Sequence, residues 1–261
     1  MVATLPRLPD QITIDYGAPE LLGPFFLAAD RAARDRGVYL RLRHYLDGLV
    51  ALNERERGRW YRLSPLFDPA FSAVTPDNAY WIEGRNAAGE TVAAQAGRVF
   101  DWPSTTLKEE IESLRIFYAD PAGMAAPGET CIVTAPSAAE IDGSVVYSGS
   151  GWYRPDFRGR ALSAILPRIS RAYALTRWCT ETTVSFVEYP LIAKGVVARY
   201  GFRRIEPTLD WRASLKGDIR MAIEWMPQAE LESDLAAFLS GAIEDVARPQ
   251  HRNARHEAVF V

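Results

Sequence analysis

Between Ser144 and Val187 the chain reads as strand, turn, helix and strand, an order that requires a right-handed crossover and so an α/β fold with parallel pairing at its centre. The first strand is SVVYSGSGWY, residues 144–153, and the second is the β-branched run Thr182-Thr183-Val184-Ser185-Phe186-Val187. Between them Arg154-Pro155-Asp156 forms a turn and Arg158-Gly159-Arg160 a loop. Apolar residues at Leu162, Ile165, Leu166, Ile169, Ala172 and Tyr173 then follow helical spacing, which predicts a helix with one buried face. Such a loop delivers consecutive backbone N–H groups into the open start of a helix beside two guanidinium groups, an arrangement suited to an anion such as a phosphate. Read alone, Arg beside Gly at a helix start also fits a solvated cap. Gly149 and Gly151 inside the strand point to a bulge or a close backbone approach, or to relief of crowding under Trp152.

The stretch Arg158-Gly159-Arg160-Ala161-Leu162-Ser163 resembles motif A of the GNAT acyltransferases, whose pattern is Arg or Gln, two residues, Gly, one residue, then Gly or Ala. Arg158 matches, while Ala161 stands at the first Gly and Ser163 at the Gly or Ala. The resemblance covers about residues 75–225. It implies a mixed central sheet flanked by helices, with this loop around the pyrophosphate of acyl-coenzyme A. The cofactor-binding residues would then be Trp152, Tyr153, Arg158, Gly159, Arg160, Ala161, Leu162 and Ser163. It also implies a bulged fourth strand whose backbone N–H stabilises an oxyanion, and a splayed parallel pair with the pantetheine arm in the gap. Downstream, EYPLIAKGVVARYGF resembles the family's motif B, with Gly201-Phe202 matching and Ala193 at a position often filled by Ala. Val197 stands where many members carry the Tyr that protonates the departing thiolate. Tyr189, Tyr200 and Glu188 are the nearby groups that would replace it as catalytic residues, packing or surface exposure being the alternative for each.

The remainder is read from its own patterning. Ile12 to Tyr16 alternates as an edge strand would, and residues 19–36 read as a helix stopped by Gly37, with Pro24 disturbing its first turns. Tyr39, Leu42, Tyr45, Leu46, Leu49 and Leu52 predict a second helix, with His44 on its polar side. Residues 54–73 are aromatic and broken by proline, so they should form a loop folded on the body. Trp60, Tyr61, Phe67 and Phe71 there either line an acceptor pocket or anchor the loop by burial. Two runs, 80–84 and 91–97, flank the turn-rich Asn86-Ala87-Ala88-Gly89 and predict a hairpin. Residues 101–143 stand as an insertion in which Thr105 or Thr106 caps a helix, able to act as a lid, while Glu109, Glu110 and Glu112 read as a solvated face. Strands are predicted at 205–211 and 218–225, the latter with Arg220, Ala222 and Glu224 alternating against Ile219, Met221, Ile223 and Trp225. A final amphipathic helix spans 228–246, packed on the body or on another subunit as a homodimer, before a polar tail. The organisation expected is thus a helical N-terminal part at 1–74, a GNAT-like core at 75–226 and a C-terminal helix with tail at 227–261.

Composition enters where it excludes partners. Thirty basic against thirty-three acidic residues give a net charge of −3, which argues against a general nucleic-acid or anionic-membrane binder. Cys131 and Cys179 lack metal-type spacing and fit a reducing cytoplasm. With His251 and His256 in the tail beside His44, no metal centre is expected. No signal-like start and no membrane-length apolar run is present, so a cytoplasmic location is expected. The expected function is acyl-CoA dependent N-acyltransfer, most simply of acetyl from acetyl-CoA to a primary amine of a small molecule. The alternatives are a non-catalytic GNAT-like ligand-binding or interaction module, and an acyltransferase with a different donor, an acyl-carrier protein or an aminoacyl-tRNA.

Overall fold

The computed structural model describes residues 7–243, so the predicted polar tail and the last residues of the predicted final helix lie outside the described residues. The chain opens with α1 (Pro19–Arg34), β1 (Tyr39–Arg43) and α2 (Asp47–Arg55). The hairpin β2 (Ala79–Arg85) and β3 (Thr91–Trp102) follows. Next come α3 (Leu107–Glu112), α4 (Pro121–Met124), β4 (Thr130–Val133) and β5 (Gly143–Tyr153). The second half comprises α5 (Leu162–Trp178), β6 (Thr182–Glu188), α6 (Tyr189–Ala193), α7 (Val196–Tyr200), β7 (Arg204–Ser214), β8 (Gly217–Pro227) and α8 (Gln228–Leu239).

All eight strands form one mixed sheet in the order β1-β2-β3-β5-β6-β8-β7-β4. Among the described residues β5 and β6 are its one parallel pair, joined across α5, and the other neighbours are antiparallel. This is the α/β architecture the crossover demands, a central mixed sheet flanked by helices. On one face α1, α5 and α8 close a core with Phe25, Phe26, Ile165, Leu166, Ile169, Leu235 and Phe238. On the other, α2, the loop through Trp60 to Phe67 and α3 close a second core with Leu49, Leu52, Leu66, Ile111 and Phe117. Each large aliphatic or aromatic side chain so buried contributes roughly 1.5–3 kcal/mol, and this burial holds the layers together. Helix α5 is buried on nearly its whole circumference because the sheet lies under it and α1 and α8 lie over it.

Several local expectations are corrected. Ile12 to Tyr16 is not a strand: Asp15 and Tyr16 donate their N–H groups to the Thr176 carbonyl on α5, satisfying the backbone without a sheet neighbour. Residues 39–43 form a strand instead of a helix. Leu40 and Leu42 point inward in period two, and antiparallel pairing with β2 stabilises that register. The helical pattern starts only at Asp47. His44 is half-buried beside the Tyr173 ring, 6.1 Å between centroids, and burial lowers its pKa together with the nearby Arg177 charge. Pro24 leaves α1 continuous. The segment from 101 to 143 contains the predicted capped helix, with Thr106 as the cap in a capping box where Thr106 and Glu109 exchange hydrogen bonds. It also contributes β4, which was not anticipated and pairs with β7 to form the far edge of the sheet. Glu110 and Glu112 there are engaged by Arg115 and Lys108. The apolar side of α8 packs within the same chain, with Phe238 edge-on to Phe25 at 5.3 Å. None of the described helices is long and apolar enough to cross a membrane.

Candidate active site

The centre of the sheet is open. β5 and β6 pair only through Val145↔Thr182, Val146↔Thr183 and Tyr147↔Val184, and then diverge. Between Ser148–Gly151 of β5 and Ser185–Glu188 of β6 lies a cavity of ≈ 230 Å³. Pro167, Tyr200 and Phe202 line it on the α5 side of the sheet, and Trp60, Phe117 and Trp211 on the opposite side. One cavity therefore reaches both faces through the gap.

The edge of that gap is bulged. Ala96 pairs with Gly149 and Ala94 with Trp152, so Ser150 and Gly151 together face Gln95. The left-handed conformation in the bulge falls on Ser150, φ +52°, and not on either flanking glycine. Gln95 Nε2 donates to the Gly149 carbonyl at 3.0 Å and to Ser148 Oγ at 3.2 Å, tying the bulge to the hairpin. Gly149 is required by a close approach: a Cβ there would lie 2.6 Å from the Tyr147 ring.

At the start of α5 the backbone turns left-handed twice, at Gly159 (φ +75°) and Ala161 (φ +56°). Among the described residues the N–H groups of Gly159, Arg160, Ala161, Leu162 and Ser163 find no acceptor. They form a run of unsatisfied donors at the positive end of a 17-residue helix. Arg158 Nε donates to the Tyr153 carbonyl at 3.1 Å. The Arg160 guanidinium is directed away, donating to the carbonyls of Arg36 and Asp156 and lying 4.0 Å over the Phe157 ring. Arg160 thus docks the loop on the end of α1 and presents its backbone N–H, while Leu162 is buried and Ser163 half-buried. Trp152 is also a packing residue, stacked on Trp60 at 5.5 Å. The Tyr153 hydroxyl is buried without a partner, and burial, with Tyr200 nearby, raises its pKa well above the ordinary value.

Of the three residues considered for proton transfer, Glu188 and Tyr200 line the cavity and Tyr189 does not. The Tyr189 ring lies under Arg220, 5.9 Å from its guanidinium carbon. Glu188 ends β6, whereas Tyr200 ends α7 on the α5 side. Burial pushes the Tyr200 phenol up to about 12, with the Glu224 carboxyl adding to the shift and Arg199 opposing it. The phenol therefore keeps its proton at neutral pH. Trp60 and Tyr61 line the cavity, while Phe67 is core and Phe71 packs beside Tyr118. No group of three or more His, Cys, Asp or Glu side chains among the described residues is placed to hold a metal.

A buried ionic cluster under the site escaped sequence reasoning. Asp234 of α8 accepts from Arg168 Nη2 at 2.8 Å and Arg171 Nη2 at 3.4 Å. The same two arginines donate to the carbonyls of Arg199 and Tyr200 at 2.8 and 2.6 Å, which fixes the end of α7 and with it the Tyr200 ring. Glu224, expected on a polar strand face, is fully buried, because α5 covers that face of β8. Neither of its carboxyl oxygens has a hydrogen-bond partner among the described residues. Burial raises its pKa to about 8 against the opposing Arg171 charge.

This carboxyl makes stability fall with pH. Below the ordinary value of 4.5 both folded and unfolded chains hold the proton and Glu224 contributes nothing. Between there and about pH 8 the unfolded chain ionises freely while the folded one retains its proton, so stability is lost at up to about 1.4 kcal/mol per pH unit. Glu224→Gln should therefore melt higher than the native chain near pH 8 and equally near pH 4, read by thermal denaturation across that range. Equal melting at both ends would mean that Glu224 ionises without penalty.

Neither a family model nor a curated protein matches the chain. Solved structures similar to it include NAA60 of Arabidopsis thaliana in complex with acetyl-CoA, at 13% identity and a TM-score of 0.45, over 74% of this chain and 99% of that one. A variant of the spermidine N-acetyltransferase SpeG from Vibrio cholerae is similar at 10% identity and a TM-score of 0.41, over 74% and 95%. The aminoglycoside acetyltransferase AAC(6')-Ib in complex with coenzyme A and kanamycin is similar at 14% identity and a TM-score of 0.41, over 75% and 98%.

Proposed function

We propose that the chain is an N-acyltransferase taking its acyl group from an acyl-coenzyme A, most simply acetyl-CoA, and passing it to a primary amine of a small molecule. The observation that carries this reading is the cavity running through the sheet between two parallel strands that part after three residue pairs. A long thin donor can lie in such a gap with its reactive end at the bulge. Near the α5 side of that gap, the unsatisfied N–H groups from Gly159 to Ser163 are suited to a pyrophosphate. The residues fit that group: five donors, a neighbouring Arg158 and an exposed Gly159 with open space around it.

In this reading Glu188, on the gap edge, takes a proton from the ammonium through water and frees the amine to attack the thioester carbonyl. The bulge at Ser150 and Gly151 turns backbone N–H toward the oxyanion that forms. As the new C–N bond stays and the C–S bond breaks, Tyr200 gives its proton to the thiolate and regains one from solvent. Tyr200 is preferred to Tyr189 because Tyr200 lines the cavity and Tyr189, at the start of α6, does not.

Calorimetric titration with coenzyme A and acetyl-CoA tests the donor, and release of free thiol in the presence of amines tests transfer. Micromolar donor binding is expected, and its absence would remove the reading. Tyr200→Phe should lower kcat roughly a hundredfold with donor affinity retained. An unchanged kcat would take the acid role from Tyr200.

A further inference from the structure

The far side of the cavity, opposite α5, has a composition of its own. Its walls are aromatic and aliphatic, from Phe117, Phe186, Trp211, Ile219 and Met221. Two cations reach its lining from loops far apart in sequence: Arg62, after the Trp60 stack, and Lys216, in the turn between β7 and β8. Both side chains are exposed, and neither forms an ion pair with a carboxylate among the described residues. Burial against the cavity wall lowers the Lys216 pKa, the nearby Glu188 carboxylate opposes that shift and the Arg62 charge adds to it. Two positive charges against the single Glu188 carboxylate leave the lining of an apolar cavity with an excess of positive charge, which a ligand carboxylate offsets.

Resting on the acyltransfer reading for the position of the reacting amine, we infer that the acceptor is an amine with an apolar or aromatic body that also carries a carboxylate. The carboxylate would lie at Arg62 and Lys216, the body against the aromatic wall, and the ammonium toward Glu188 and the bulge. The lining fits a polycation poorly, since one carboxylate faces two fixed positive charges and added ammonium groups would meet repulsion. Arg62 retains its own packing against the Phe71 ring, 5.7 Å away, which pre-positions the guanidinium.

The test compares amines in pairs that differ only in the carboxylate: L-phenylalanine against 2-phenylethylamine, and 4-(aminomethyl)benzoate against benzylamine, with spermidine as the polycation. Binding is measured by calorimetry on the full chain without coenzyme A, and coenzyme A binding is measured separately. At least one acid should bind tenfold or more tightly than its partner and than spermidine. Arg62→Gln combined with Lys216→Gln, both solvent-exposed positions, should remove that preference without lowering the melting temperature. Equal binding within both pairs, no binding of either acid, tighter binding of spermidine, or a preference that survives the double substitution would overturn the inference. A chain that binds the acids but not coenzyme A would keep this inference and lose the acyltransfer reading. One that binds coenzyme A but shows no preference would do the reverse.

Discussion

Asp234→Ala should lower the free energy of unfolding by about 3–5 kcal/mol, the largest single-residue loss expected in the molecule. The carboxylate holds two guanidinium groups that are 2% and 0% exposed, so the substitution leaves two positive charges buried without a counter-ion. Burial already lowers the Arg171 pKa to about 10, and Asp234 is the main group opposing that shift. Gly201 shows how tightly the cluster is enclosed: a Cβ there would sit 2.7 Å from both Arg168 Nη2 and Asp234 Oδ2. Urea denaturation reads the loss directly. A change below about 1 kcal/mol would mean that water, and not Asp234, neutralises the pair. Asp234→Asn should be less severe than alanine, because it keeps one acceptor while losing the charge.

The second large effect concerns ligand affinity at nearly constant stability. Arg158→Ala with Gly159→Pro should weaken coenzyme A binding by roughly a hundredfold or more, equivalent to about 3 kcal/mol. Proline fixes φ near −65°, whereas Gly159 has φ +75°, so the loop must re-route and one of its five donors is deleted. Because Gly159 is exposed and nothing lies within 4 Å of its would-be Cβ, the melting temperature should move little. Calorimetry and thermal denaturation on the same preparations separate the two quantities. Undiminished coenzyme A affinity would place the donor elsewhere in the molecule.

The parts of the fold that could be read from sequence are those where one pattern outweighs its rivals. The β5–α5–β6 unit and the hairpin have long periodic runs with turn residues at their ends; the strands β5 and β6 fall within a residue of where they were expected, and the hairpin is found with β3 running five residues further, to Trp102. β1 was misread because Tyr39, Leu42, Tyr45, Leu46 and Leu49 also satisfy helical spacing, and only pairing with β2 selects the extended form. β4 is four residues between Gly128 and Pro136, too short for its alternation to be recognised before β7 is placed beside it. The motif-bearing loop was visible because its residues are contiguous. Glu224 and the Arg168–Arg171–Asp234 cluster were hidden for the opposite reason: alternation on a strand says that a face is polar, and only the position of α5 makes that face an interior. The convergence of Arg62 and Lys216 depends in the same way on two loops meeting across the cavity.

The clamp that fixes Tyr200 also has an order in time. Arg168 and Arg171 lie on the central helix, but their counter-ion is on α8, the last helix described. A chain emerging from the ribosome therefore contains all of its sheet strands and the loop before α5 while two arginines still lack their carboxylate. The guanidinium groups that hold the carbonyls of Arg199 and Tyr200 gain their carboxylate only once α8 docks. Among the described elements α8 is thus the last to be made, and its docking completes the buried cluster that holds the end of α7.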